Sequence, residues 1–227
     1  MMSFPGFARS FAHGIAQVTG KYFELAVFPR CSLLKYRFRY ARRSRLEKQP
    51  TDLRRKTCLF WGQDIRGIMT PMRSFHAINR LGLVSDTHGL LRDSVRTALT
   101  GVDLILHAGD IGRRGVLEEL ESIAPVVAVR GNVDSTFADL PPTEIVSVND
   151  ELIYILHDLA TLDLVPEKAG IWMVVSGHSH KAWVEKKNGV LYVNPGSIGP
   201  RRFRLPITYV TIAYGGIEPV VELVELA

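Results

Sequence analysis

The stretch Arg80-Leu81-Gly82-Leu83-Val84-Ser85-Asp86-Thr87-His88-Gly89 decides the fold. Its apolar half reads as a short buried strand. The strand ends on an acid, a hydroxyl and an imidazole, followed by a glycine. The pattern recurs four times downstream: Leu104-Ile105-Leu106 runs into His107-Ala108-Gly109-Asp110, and Val127-Ala128-Val129 into Arg130-Gly131-Asn132; Ile153-Tyr154-Ile155-Leu156 runs into His157-Asp158, and Val174-Val175-Ser176 into Gly177-His178-Ser179-His180. In open α/β sheets, ligands bind beyond the carboxyl ends of the strands. Five such ends would gather their polar residues along one shared edge.

Helical spacing separates the first three strands. Leu91, Val95, Ala98 and Leu99 share one face, as do Val116, Leu117 and Leu120. Strands over Leu81–Ser85, Asp103–Leu106 and Val126–Val129, alternating with helices, predict parallel β-α-β crossovers. The second half instead carries turn pairs, Asn149-Asp150, Asn188-Gly189 and Gly215-Gly216, each between apolar runs. These predict three hairpins. The expectation is an α/β fold of two packed sheets with helices outside.

Charge is unevenly distributed. Residues 1–80 hold 16 basic and 4 acidic residues, a net +12, which leaves 12 basic and 19 acidic residues, a net −7, for the remainder. A protein that grips nucleic acid non-specifically usually carries its basic excess on the folded domain, so nucleic acid is not indicated as a partner of the main domain. No stretch is long and apolar enough to cross a bilayer, and a cytoplasmic location is expected. Both cysteines, Cys31 and Cys58, lie in the basic segment. Any metal in the remaining domain must therefore be held by nitrogen and oxygen.

Residues 1–78 are read as a basic N-terminal extension, and 79–227 as the working domain. The extension is Arg-rich and irregular in pattern. It suits a basic arm, an organelle-targeting peptide or a small appended domain. It equally suits a translation start placed too far upstream, since Met69 and Met72 lie just before orderly sequence begins.

The strand-end inventory is two aspartates (Asp86, Asp110), one asparagine (Asn132) and four histidines (His88, His157, His178, His180). That is too many for one tetrahedral ion, whose sites take three or four protein ligands. It suits two ions sharing a bridging carboxylate. Imidazole with carboxylate and amide oxygen favours Mn, Fe, Zn or Ni over Ca.

The blocks Asp86-Thr87-His88-Gly89, Gly109-Asp110, Gly131-Asn132-Val133-Asp134, His157-Asp158 and Gly177-His178-Ser179-His180, in that order, resemble the calcineurin-like metallophosphoesterase superfamily. Asn194-Pro195-Gly196-Ser197 is similar to its small YfcE-type branch. The resemblance implies a four-layer α/β/β/α sandwich. It also implies a dinuclear phosphoesterase, most simply a phosphodiesterase, loaded with two divalent transition ions, manganese foremost. Asp86, His88 and His180 would hold one ion, Asn132, His157 and His178 the other, and Asp110 would bridge them. A hydroxide between the ions would attack phosphorus in line. The sequence departs from the family at Val133, where many members have a histidine that assists the leaving group. The substrate would be a small-molecule phosphate ester, and edge strands could support a homo-oligomer.

Other residues are read against simpler roles. His107 suits a supporting position. Arg113, Arg114, Arg130, Arg201 and Arg202 are candidates for a substrate phosphate, with Arg201 and Arg202 the better placed. Asn194 and Ser197 would order the loop beneath the metals, and Asp158 would cap a turn. Two other functions compete: a non-catalytic interaction scaffold of the same fold, as in a retromer subunit, and a structural-metal protein without turnover.

Overall fold

Alternating side chains divide each central strand between two faces. In β5 (Arg80–Val84), Leu81 and Leu83 point one way and Val84 the other; in β6 (Leu104–His107), Leu104 and Leu106 oppose Ile105. A strand with both faces apolar must be covered on both sides, and the chain supplies two kinds of cover. The computed structural model describes residues 72–202 and 204–226, together with the courses of three strands further upstream, β1 (Lys35–Arg39), β2 (Trp61–Gln63) and β3 (Met69–Pro71). The remainder of the predicted extension lies outside the described residues.

One six-stranded sheet runs β1-β14-β13-β5-β6-β7, with β7 at Val126–Ala128, β13 at Ile207–Ala213 and β14 at Val220–Leu226. Its β5, β6 and β7 are parallel, as the β-α-β pattern predicts. The crossovers are α1 (Asp93–Ala98) and α2 (Arg114–Glu121), whose Val95, Val116, Leu117 and Leu120 pack on the outer face over Val84, Ile105 and Tyr209.

The second sheet runs β11-β12-β10-β9-β8-β4, formed by Trp183–Lys187, Val190–Asn194, Ile171–Val175, Glu151–Leu156, Thr143–Val148 and Ser74–Phe75. The two sheets meet through Leu81, Leu83, Leu106 and Val127 on one side and Val146, Ile153, Ile155 and Met173 on the other. The outer face of the second sheet is covered by the 3-10 turn Leu159–Thr161 and the loop after it, through Leu159, Leu162 and Leu164. The four-layer arrangement therefore holds, but among the described residues its last layer contains no α-helix.

The predicted turns differ in outcome. Asn149 and Asp150 take φ of 48° and 67°, and Asn188 and Gly189 take 50° and 87°. These are the left-handed values that a two-residue hairpin needs. Gly215-Gly216 instead lies in a connection spanning 214–219. Ile217 in that connection is fully exposed, and β14 begins only after Pro219, which has no N–H for a ladder. This C-terminal hairpin also joins the first sheet, antiparallel to β5, so the second half of the chain contributes to both sheets.

Leu106 is fully buried between the sheets, so Leu106→Ala should lower unfolding free energy by about 2–5 kcal/mol in denaturant titration. Ile217→Ser, at a fully exposed position, should stay within about 0.5 kcal/mol of the parent.

Candidate metal centre

The five polar strand ends converge. Asp86 and His88 follow β5, Asp110 follows β6 and Asn132 follows β7, while His157 follows β9 and the pair His178 and His180 follows β10. The shared edge is therefore the common rim of both sheets. Donor atoms of Asp86, His88 and His180 lie within 4.8 Å of one another, and so do those of Asp86, Asp110 and His157.

The distances tie the clusters together. Asp86 Oδ1 is 3.2 Å from His180 Nε2 and 3.8 Å from His88 Nε2. Asp110 turns Oδ2 toward His88 Nε2 at 3.7 Å and Oδ1 toward His157 Nε2 at 3.4 Å. His88 and His180 stack with ring centroids 5.1 Å apart, and His178 meets His157 edge-on at 5.3 Å. Asn132 Nδ2 lies 3.4 Å from His178 Nδ1. All seven residues singled out in the sequence thus occupy one region.

Local backbone conformation makes this convergence happen. Asp86, His88, Asp110, His178 and His180 have φ of 56°, 43°, 56°, 66° and 57°. For non-glycine residues the left-handed region is sparsely populated and costs of order 1–3 kcal/mol at each position. The cost is met by bracing. Asp86 Oδ2 accepts the Ser85 hydroxyl at 2.7 Å and the His178 N–H at 3.1 Å, which joins the two sheets. Buried Asp134 accepts the N–H groups of Ile111 (3.0 Å), Gly112 (2.9 Å) and Gly131 (2.8 Å), which locks the Asp110 loop to the Asn132 loop. Asn194 donates to Gly177 O at 2.6 Å, and Ser197 donates to Asp86 O at 2.9 Å. Close approach also fixes residue choice: a Cβ on Gly177 would collide with Ser85 Oγ and with Asp86 Oδ2.

Protonation suits a cation at His88, His180 and Asp110, whereas burial at His157 is outweighed by the Asp110 carboxylate, which raises the pKa of that imidazole. His157 Nδ1–H donates to Ala108 O at 2.7 Å, which turns the lone pair of Nε2 into the site. Burial lowers the His88 pKa, assisted by the charge of Arg202, and burial brings His180 down to about 4. Neutral imidazoles are the form that binds metal. Burial works against the charged form of Asp110 as well, but His157 and the Val133 N–H outweigh it and hold its carboxyl below the ordinary range. Asp86, the most deeply buried, is pushed up to about 6 by burial. Its Oδ1 and His157 Nε2 are buried without a hydrogen-bond partner. Unpaired buried polar atoms are costly, and bound cations would satisfy both. The donor set therefore fits a metal centre.

His107 is fully buried and brought down to about 4 by that burial. Its Nδ1 accepts the Gly109 N–H at 3.2 Å, so Nε2 donates to Thr87 Oγ1 at 3.0 Å. It braces the first two loops and offers no free nitrogen to the site. Asp158 caps the 3-10 turn by accepting from Ala160 N at 2.9 Å. Arg113 is taken up by Gly89 O and Glu119, and Arg114 by Asp139 and the Phe137 ring. Arg202 alone among the singled-out arginines reaches the cluster, with Nη2 3.5 Å from His88 Nδ1. Ser85 and Asp134 were given no role in the sequence reading. Ser85 is marked in the sequence only by its position before Asp86, and Asp134 only as the last residue of the Gly131-Asn132-Val133-Asp134 block.

Asp134→Ala would orphan three backbone N–H groups, each a charge-assisted bond worth about 1.5–3 kcal/mol. A clear fall in melting temperature is expected, along with weaker metal retention on dialysis. Gly177→Ala should abolish metal retention, because its clash falls on Ser85 Oγ and Asp86 Oδ2, the pair that braces the site.

Comparison with known proteins agrees with this geometry. Residues 80–215 match the model of the calcineurin-like phosphoesterase superfamily domain. A probable metallophosphoesterase of Methanocaldococcus jannaschii is 35% identical over 130 residues, covering 52% of this chain and 67% of that protein. A phosphodiesterase of the same organism is 28% identical over 139 residues, covering 52% of this chain and 82% of that protein. Among solved structures, Vps29 of Chaetomium thermophilum superposes with a TM-score of 0.58 at 18% identity, over 66% of this chain and 88% of that one. The match covers the strands and loops that carry all seven donors, and the chain belongs to the calcineurin-like phosphoesterase superfamily as a metal-dependent phosphoesterase.

Proposed function

We propose that the protein is a dinuclear phosphodiesterase in which Asp86, His88 and His180 hold one divalent transition ion and Asn132, His157 and His178 a second, with Asp110 shared between them. The observation that carries this is the posture of Asp110, whose two oxygens face different imidazoles, His88 at 3.7 Å and His157 at 3.4 Å. Ions bound there would supply Lewis-acid stabilisation of phosphoryl oxygens and a water acidic enough to act near neutral pH. Manganese suits the mixed imidazole, carboxylate and amide set, with Fe, Zn and Ni as competitors.

The chain's own residues define the rest. Asp86, His157 and His180 are buried, whereas Asn132 and His178 are exposed, so substrate enters over the second group. Val133, 48% exposed beside that group, has no proton to give. The site therefore favours leaving groups that need little protonation. Residues 79–227 form the catalytic domain in this reading, with β1 and β4 adding edge strands from the preceding segment. Among the described residues no helix is long and apolar enough to cross a membrane. A cytoplasmic phosphate ester is the substrate class proposed. The intact donor set argues against a purely scaffolding role.

Elemental analysis of protein purified with Mn²⁺ should find about two equivalents of metal. The same protein should hydrolyse bis(p-nitrophenyl) phosphate in a Mn²⁺-dependent way. Asp110→Asn and His178→Ala should each lose about 100-fold or more in kcat/KM, at or beyond the upper end of what loss of an outer-shell partner costs. A metal-loaded but inert parent chain would instead identify a scaffold.

A further inference from the structure

The proposed centre lacks a feature that phosphate chemistry usually needs, a fixed cation from the protein to hold the anionic substrate. Most arginines near the site are already engaged. Arg113 and Arg96 both pair with Glu119, and Arg114 pairs with Asp139. Arg92 donates to Gly199 O at 3.3 Å. Arg202 differs. It is exposed, it has no carboxylate within ion-pair reach among the described residues, and its guanidinium touches the cluster at His88 Nδ1.

Its placement is built into the loop. Ser197 Oγ donates to Asp86 O at 2.9 Å, and Ile198 N donates to Ser85 O at 3.3 Å. Gly199 packs so closely on the Asp86 and Thr87 carbonyls that a Cβ there would overlap them. Leu205 N then closes a turn onto Arg202 O at 3.1 Å. Ser197 to Gly199 are therefore moored along the Asp86 loop, and Arg202, three residues further on, reaches the rim at His88.

The contact with His88 is provisional on chemical grounds. An imidazole that gives Nε2 to an ion keeps its proton on Nδ1. That nitrogen then has no lone pair for a guanidinium, and Arg202 is left with N–H groups to spend. We propose that Arg202 is a substrate-binding residue, which grips a non-bridging phosphoryl oxygen from the His88–His180 side of the site. Val133 provides an apolar rim on the Asn132 side. The two rims orient the substrate, with its anionic oxygens toward Arg202 and its leaving group toward Val133. This assignment rests on the phosphoesterase reading for its ligand class.

The test uses the full chain loaded with Mn²⁺ and inorganic phosphate as the probe, with binding followed by calorimetry and metal content measured on the same samples. Arg202→Ala should bind phosphate about tenfold more weakly or worse, as loss of a charge-assisted contact implies. Metal content should be unchanged. Arg202→Lys should fall between, because it keeps the charge and loses the planar fork. In turnover, Arg202→Ala should raise KM for bis(p-nitrophenyl) phosphate more than it lowers kcat. Phosphate affinity within about twofold of the parent would overturn the assignment, and so would loss of metal in both variants. A parent that binds phosphate through Arg202 yet hydrolyses nothing would support this assignment and overturn the hydrolase. A parent that hydrolyses while Arg202→Ala binds phosphate normally would do the reverse.

Discussion

Asp86 assigns its two oxygens different duties, and the centre depends on that division. Oδ2 is committed to protein, accepting from Ser85 on its own strand end and from the His178 N–H on the other sheet. Oδ1 is buried and uncommitted. A carboxylate wholly satisfied by protein would have nothing left for an ion. One wholly unsatisfied would be too costly to bury and would hold no fixed direction. Splitting the two functions lets the same group join the sheets and present a lone pair. The raised pKa of Asp86, about 6, shows the residual cost of that burial, a cost that a nearby cation would remove.

The left-handed backbone at five of the seven donors follows from the same requirement. A strand that continued in extended form would keep Asp86 and His88 on one face but set them about 7 Å apart along its axis. Turning at once into the left-handed region folds the next residues back across the rim, where Asp86 and His88, or His178 and His180, address one region from one loop. Aspartate and histidine tolerate that conformation better than most side chains. The residue types that bind metal are thus also suited to the turn that delivers them. The strain is held by Asp134, Asn194 and Ser197, none of which offers an atom to the cluster; each ties down the backbone of a loop that does.

Much of this was legible in the sequence because the signal was local. Asp86, His88, Asp110, Asn132, His157, His178 and His180 each close an apolar run, and a run of that kind predicts both the strand and where it stops. Asn149-Asp150 and Asn188-Gly189 were legible for a related reason, since their residues admit the turn that a tight hairpin requires. Tertiary partnership was not legible. Asp134 stands in a family block, but its task of holding two loops together shows only once Ile111 and Gly112 are brought beside it. Gly215-Gly216 carries as strong a turn signal as Asn188-Gly189. Even so, Ile217 and Pro219 delay the next strand, and the sheet that it joins is set by pairing with distant β5. The thin outer layer was hidden too, because helices on both outer faces were implied by the family resemblance and not by any period in residues 159–164.

Arginine shows the limit most clearly. Arg113-Arg114 and Arg201-Arg202 are the same dipeptide, each downstream of a glycine-marked strand end. What separates them is the supply of nearby acids. α2 carries Glu119 toward Arg113, and the loop after Asn132 brings Asp139 to Arg114. Among the described residues no acid is brought to Arg202, and the segment just before it is held to backbone carbonyls of the Asp86 loop. A guanidinium in a carboxylate pair is already neutralised and can attract a phosphoryl group only by giving up its partner. One left without a partner keeps its full charge for the substrate, so reactivity at this rim is decided by which arginine the fold leaves unsatisfied.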